Sequence, residues 1–477
     1  VPGITKFGAY IPPTRLPLAL LAGREAREGG PEKAVAGHDE DAVTMGVAAA
    51  VDCLRGRNRG DIDGVFFAST THAFGEKQAA ALIARALDLR ADLRSIDFGG
   101  SLRSGLSALG AALDAVAAGS AQSILVIASD ARMAAPRSPM EAKLGDAAVA
   151  FLVGDDAVGA EFIAGFAISD EIVDTWRAAD DRFVHSWEER FVVQEGYIPK
   201  MQAAVEGLLE KTDTAVGDIQ RAALQAPDAR SHATLARQLG FDDAALEAPL
   251  FGRVGNAGTA FAPLLLASAL ETAGPDENVV VASYGDGAEA LAFRTTAAIA
   301  GARAGSGVAG HLKTRRAIAS YDRYLQARNL LPREWSPAAD PGLSATVHFR
   351  ERNEDLAFKG QACRACGALQ FPFQRVCESC FAKDDFDAVR LSDRRGRVVT
   401  YTLDYFFPTP NPPTIVTVTD IDGARVHLQL VDCAAEDVRP GLEVEFVFRR
   451  IHEGGGRPNY YWKGRPVAGT SESGGRA

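Results

Sequence analysis

Along residues 1–300, short runs of β-branched and aromatic residues alternate with longer Ala- and Leu-rich stretches of helical period. That alternation predicts layered α/β architecture. Three runs, GVFFAS at 64–69, SILVIA at 123–128 and VVVASY at 279–284, are apolar at consecutive positions, so both faces of each strand are expected to be buried. Helices are predicted over 105–119 and 262–273. The segment SILVIASDAR…GDAAVAFLV is echoed by NVVVASYGDGAEALAF, each a strand, then Gly-Asp, then an apolar strand. Two similar α/β halves follow from that echo.

The pattern changes after residue 300. Residues 301–312, GARAGSGVAGHL, read as a linker. In the connection 313–360, an amphipathic helix is predicted over 313–330, with Ile318, Tyr321, Tyr324 and Leu325 at helical spacing, docked on a neighbouring surface. Four cysteines fall in 361–385. From 386 to 465 the alternation has period two, over 397–403, 414–418, 426–430 and 442–449, the signature of a small β-barrel. The tail 466–477, rich in Gly and Ser, is expected to be disordered.

Composition narrows the function classes. A chain of 477 residues exceeds what one core serves, so two or three domains are expected. The net charge of −11 argues against a nucleic-acid partner, which needs a basic surface. No apolar run reaches the roughly 18 residues of a membrane span, and Val1 to Lys6 carry no secretory-signal pattern. Four of the six cysteines sit in one cluster, leaving Cys53 and Cys433 alone. That is metal arithmetic in a reducing compartment, and a soluble cytoplasmic protein is expected.

Cys363-x-x-Cys366 and Cys377-x-x-Cys380 are two turn-forming pairs separated by ten residues. Each pair presents two thiolates, and together they suit a tetrahedral Zn²⁺. Four protein ligands leave no open position, so the metal is expected to be structural and to stabilise its module.

ACRACGALQFPFQRVCESC followed by GRVVTYTLDYF resembles the zinc-ribbon plus OB-fold proteins that accompany thiolase-like enzymes, over roughly 313–465. The resemblance implies an OB barrel that contacts nucleotide-bearing acyl-CoA. Residues 1–300 resemble 3-hydroxy-3-methylglutaryl-CoA synthase and, more distantly, ketoacyl synthase III. The carriers are GITKFGAYIPPTRL, DFGGSLRSGLSAL, GDAAVAFLVG, Asp174-Thr175-Trp176-Arg177, Gly255-Asn256-Ala257-Gly258 and Ser283-Tyr284-Gly285-Asp286-Gly287. This implies a thiolase-like five-layered α-β-α-β-α sandwich that forms a homodimer, with coenzyme A as part of the substrate.

In that family a cysteine stands where strand meets helix, activated by the helix N-terminus and a histidine, while a glutamate handles the α-proton. Here Leu102 falls at the cysteine, Gln225 (or Leu224, with a one-residue shift) at the histidine, and Thr70 at the glutamate. Three working groups are lost together. Asn256 matches the asparagine that hydrogen-bonds the thioester carbonyl. Ser101 and Ser104 flank Leu102 as helix caps. Ser101 is a poor replacement nucleophile, being one position off. Arg230 falls at the basic residue that meets CoA phosphates.

An inert junction excludes covalent acyl transfer but not a retro-aldol, which needs only a base and an enolate stabiliser. The resemblance extends to thiolase-like aldolases that lack the cysteine and pair with the same zinc/OB module. On that analogy Tyr284 is the base, Asn256 the enolate stabiliser, and His72 or Asp286 the alternative base. The expected reaction is cleavage of a 3-hydroxyacyl-CoA. Two alternatives stand beside it: a non-catalytic CoA-binding partner of an active thiolase-like subunit, and a condensing or thiolytic acyltransferase with an unusual nucleophile.

Overall fold

Nine strands from the first 295 residues join in the computed structural model, which describes residues 1–178, 180–303, 305–331, 344–407, 409–454 and 457–467. Their order is Arg221–Leu224, Asn278–Tyr284, Gly287–Thr295, Ala160–Ser169, Gly3–Tyr10, Ala147–Gly154, Ser123–Asp130, Gly64–Ala68 and Arg94–Phe98. In the middle, only Gly3 and Ile4 pair with Glu161 and Ala160. Two sheets, of four and five strands, therefore meet at a short seam. Outward from it each sheet makes two antiparallel steps and then a parallel one. The sequence echo is thus a structural repeat: Ser123–Asp130 pairs with Ala147–Gly154 as Asn278–Tyr284 pairs with Gly287–Thr295.

The helices Ser104–Ala117 and Phe261–Thr272 each touch strands of both sheets and form the central layer. Phe261–Thr272 is apolar almost all round because it faces a sheet on either side. Ala42–Cys53 and Ala79–Ala86 cover the outside of the five-stranded sheet, and Ile198–Lys211 covers the four-stranded one, with Ala229–Leu239 packed beside it. The result is the expected α-β-α-β-α sandwich, its largest core cluster spanning the central helices and both sheets.

The reading of 301–312 as a linker is corrected. Helices Ile299–Ala302 and Gly307–Lys313 occupy much of it. The buried Asp52 carboxylate accepts from Ser306 N and Gly307 N, and Glu271 accepts from Val308 N and Ala309 N, so distant acceptors pin this small-residue stretch. The single helix expected over 313–330 is instead a two-residue strand, Arg316–Ala317, and the helix Tyr321–Ala327. Docking does occur there. Tyr321 donates to Glu141 and stacks on Tyr324, over which Lys33 lies.

A second compact unit begins at Leu325. Its ribbon has three strands, with Lys359–Cys363 between Leu369–Gln370 and Phe386–Arg390. Five further strands close a barrel in the order Gly396–Asp404, Thr414–Ile421, Ala424–Leu430, Arg457–Pro466 and Glu443–Gly454. Arg457–Pro466 escaped the sequence reading because Arg, Pro, Asn and Lys dominate it. Alternate residues nonetheless face inward: Tyr460 stacks on Phe448, and Trp462 packs on Phe358 and Phe448. The tail expected to be disordered lies outside the described residues from 468 onward, as does the connection over 332–343.

Candidate functional site

The strand Arg94–Phe98 ends in Gly99 and Gly100, and the central helix starts at Ser104. Leu102 sits half-buried at this junction. Ser104 Oγ donates to Gly99 O at 3.1 Å, tying the turn to the helix start. Ser101 Oγ is buried without a hydrogen-bond partner among the described residues. Across the junction lies the turn between Asn278–Tyr284 and Gly287–Thr295. A methyl group on Gly285 would stand 2.8 Å from Ser101 Oγ, 3.0 Å from Leu102 N and 3.1 Å from Arg103 N. Glycine is required there, and its absent side chain lets this turn approach the junction backbone.

Tyr284 is 7% exposed, its ring edge-on to Tyr197 at 5.6 Å. Its Oη meets no hydrogen-bond geometry among the described residues. Burial pushes the phenol's pKa well up, and the charges of Asp174 and Asp286 push it further. Such a phenol holds its proton more tightly than an ordinary tyrosine. Asp174 is also raised, chiefly by burial, with Asp286 adding like-charge repulsion and Thr175 N–H opposing it. It is the group here best suited to take a proton. Only its motif drew attention in the sequence; a carboxylate held beside a buried tyrosine by folding leaves no local signal.

Gln225, at the histidine position, is 3% exposed. Its Oε1 accepts from Ser283 Oγ at 2.5 Å and Tyr284 N at 3.0 Å, and its carbonyl accepts from Tyr197 Oη at 2.9 Å. The amide holds the tyrosine strand end in place. In the other half, the fully buried Asp130 accepts seven hydrogen bonds, from Ser69 Oγ and from the N–H and hydroxyl of Thr70, Thr71 and Thr259. Thr70, at the glutamate position, is thereby committed to structure.

Asn256 donates through Nδ2 to Ala226 O at 3.2 Å and accepts from Gly258 N at 2.9 Å. One Nδ2 hydrogen is used by that bond. His72 Nε2 lies 3.1 Å from Phe98 O, to which it must donate, fixing the ring against the junction strand with Nδ1 as its other nitrogen. Asp286 is exposed on the turn at φ 47°. Arg230 is exposed in the first turn of Ala229–Leu239, apart from these contacts. Cys53 ends the outer helix Ala42–Cys53, its backbone against Gly8 and its thiol pushed up by burial, so it supplies no reactive thiolate at Leu102.

The segment around Asp174 bridges the cluster. Arg177 Nη2 donates to Thr70 O at 2.5 Å, and Val184 N donates to Met133 O at 2.8 Å. The buried guanidinium of Arg132 lies beneath, its pKa lowered by burial and supported by the charge of Asp130. Asp174 and Tyr284 act on one another, and Gly285, next to Tyr284, packs on the backbone of the Leu102 junction.

In the second unit the four cysteine Sγ atoms lie within 4.8 Å of one another, with Cys363 to Cys380 at 3.7 Å and Cys366 to Cys377 at 3.6 Å. Zn–S bonds of about 2.3 Å in a tetrahedron place sulfurs about 3.8 Å apart, so the four fit Zn²⁺. Each pair sits on a knuckle: Gly367 N donates to Cys363 O, and Phe381 N to Cys377 O.

Residues 354–386 match the family model described as ChsH2, rubredoxin-like zinc ribbon domain, and 388–449 match that described as ChsH2, C-terminal OB-fold domain. The first part is similar to hydroxymethylglutaryl-CoA synthase of Archaeoglobus fulgidus, 31% identical over 310 residues, covering 62% of this chain and 90% of the relative. It is likewise similar to the synthase of Aeropyrum pernix, 32% identical over 306 residues, covering 61% and 83%. Among solved structures, an HMG-CoA synthase complexed with CoA superimposes with a TM-score of 0.64 at 19% identity, over 72% of this chain and 94% of that one. A β-ketoacyl-[acyl carrier protein] synthase III (FabH) from Thermus thermophilus superimposes with a TM-score of 0.56 at 22% identity, over 61% and 98%. These likenesses show the thiolase-like fold. No helix among the described residues is long and apolar enough to cross a membrane.

Proposed function

Because the chain belongs to the hydroxymethylglutaryl-CoA synthase family and yet carries Leu102 at the strand-to-helix junction, we propose that it works on acyl-CoA carbon–carbon bonds without a covalent acyl-enzyme, cleaving a 3-hydroxyacyl-CoA by retro-aldol reaction. The observation that carries this reading is the junction itself: an apolar side chain stands there, and the turn that carries Tyr284 and Asp286 approaches its backbone through Gly285.

Asp174 takes the proton of the β-hydroxyl. The oxygen's electron pair forms the new carbonyl, the Cα–Cβ bond breaks, and its pair becomes the enolate of the shorter acyl-CoA. The second Nδ2 hydrogen of Asn256 and the N–H groups opening the central helix face the enolate oxygen. Tyr284 keeps its proton and hydrogen-bonds the oxygen of the new carbonyl without transferring it, and Asp174 returns its proton to Cα. His72 and Asp286 border the site, with Asp286 tuning Asp174 by repulsion.

Arg230 meets a CoA phosphate. CoA binding is supported by the neighbour solved with CoA. Zinc holds the ribbon and takes no part in the chemistry. Among the described residues the edge strand Arg94–Phe98 is unpaired on one side, which supports a homodimer formed through the thiolase-like unit.

The test is purified, zinc-loaded protein with a panel of 3-hydroxyacyl-CoAs, 3-hydroxy-3-methylglutaryl-CoA included. The expected products are a carbonyl compound and a shorter acyl-CoA, with no mass added to the protein. Because the relatives are named synthases, the reverse mixture is assayed as well. An untouched panel in both directions sinks the lyase. The absence of Cys, His and Glu from their expected positions would then favour a non-catalytic CoA-binding subunit.

A further inference from the structure

We propose that Val173, Trp176, Trp187 and Phe191, in the described residues 173–178 and 180–191, form an aromatic wall that receives the acyl part of the substrate, and that this acyl part is bulky, planar and apolar. The proposal rests on the acyl-CoA reading above and adds a substrate class to it. Among the described residues of the first unit, six large hydrophobics are exposed, and four of them, Val173, Trp176, Trp187 and Phe191, lie in this segment. Trp176 is 40% exposed and Trp187 57%. Trp176 stacks on His185 with centroids 5.8 Å apart and planes at 23°, and Trp187 stands 6.2 Å from Trp176.

Clustered exposed apolar surface marks a binding site more often than scattered residues do. The wall is also anchored. Val184 is buried with Ala134 and Leu144, and Leu144 is bridged to Asn256. Trp187 N donates to Asp174 O at 2.8 Å, and Arg177 holds the Thr70 carbonyl. The hairpin is therefore tied at Trp187 to the Asp174 backbone and at Arg177 to the Thr70 carbonyl, with Trp176 and Trp187 exposed beside these ties. A small polar acyl group would leave those faces wet, whereas a flat apolar ring system covers them and stacks. Continuity with Asp174 commits the wall to the acyl end of the ligand.

The test compares the intact protein with Trp176→Ala/Trp187→Ala and Trp176→Phe/Trp187→Phe, titrating CoA, acetyl-CoA and 2-naphthoyl-CoA by calorimetry. The expected result is naphthoyl-CoA binding about tenfold tighter than acetyl-CoA, a preference erased in the alanine variant and largely kept in the phenylalanine one, with CoA affinity unchanged. Equal losses for all three ligands would overturn it, since the wall would then stack the nucleobase. Unchanged naphthoyl-CoA affinity would overturn it too, leaving the wall as a protein contact. If the unaltered protein binds none of the three, the acyl-CoA reading falls. Binding of 1-anilinonaphthalene-8-sulfonate then separates the two failures: its loss in the alanine variant leaves a wall for a flat apolar ligand that is not an acyl-CoA, and unchanged binding ends the wall as well.

Discussion

The two halves of the sandwich bring equivalent strand ends to the same site and use them differently. In the first half, Asp130 ends the inner strand and gathers the outer loop, Ser69 to Thr71, with Thr259 from the far side. In the second half the polarity is reversed: Gln225, just past the outer strand, accepts from Ser283 and Tyr284 at the end of the inner one. By register, Tyr284 is the counterpart of Asp130. One is saturated by seven hydrogen bonds, and the other's hydroxyl faces the Asp174 carboxylate alone among the described residues. A repeated scaffold has become asymmetric. The first half holds the site rigid, and the second keeps a proton donor available beside Asp174.

The sharpest break of that comparison is Asp130→Asn. An amide nitrogen would face donors, and the change is expected to cost on the order of 4 kcal/mol of unfolding free energy. Gln225→Ala removes two neutral acceptances and should cost about 1–3 kcal/mol. Denaturant unfolding of the two variants checks the difference. Equal losses would mean that the halves are not divided in this way.

Next in size is the acid–base pair. Asp174→Asn should lower turnover about a hundredfold or more, and Tyr284→Phe by less, because a donor is removed while the base remains. The base works deprotonated and its pKa is raised, so activity should climb with pH through a limb above the ordinary carboxylate range. Asp286→Asn removes a repelling charge and should move that limb to lower pH. A limb unmoved by Asp286→Asn, or activity surviving Asp174→Asn, would assign the proton transfer elsewhere.

Much of this was legible in residues and some could not be. The ribbon was readable because its four ligands lie in one short stretch whose spacing is itself the geometry. The twin sheets were readable because fully buried strands are apolar at every position. Asp130 read only as the end of a strand, since its partners come from separate loops and no local pattern announces them. Asp174 was visible as part of a motif but not as a base, because its pKa depends on burial and on Asp286. The helix Gly307–Lys313 was hidden for the same reason: Asp52 and Glu271, earlier in the chain, accept the backbone N–H groups at its start. Local composition announced a linker, and tertiary hydrogen bonding overrode it.

The smallest expected effect is the most telling about the lost nucleophile. Leu102→Cys places a thiol at the start of the central helix, where the N-terminus favours the thiolate. Leu102 is only half-buried, so the substitution should cost about 1 kcal/mol or less. Acylation is not expected to follow. Gln225 cannot accept a proton as histidine does, its oxygen is already held by Ser283 and Tyr284 N, and Thr70 is bound to Asp130. Intact-mass measurement after incubation with acetyl-CoA should therefore show the unmodified variant. An acetyl adduct on the introduced thiol would mean that one side chain alone separates this site from covalent chemistry. The hydrogen bonds around Gln225 and Thr70 would then be bystanders to the change, rather than the second half of it.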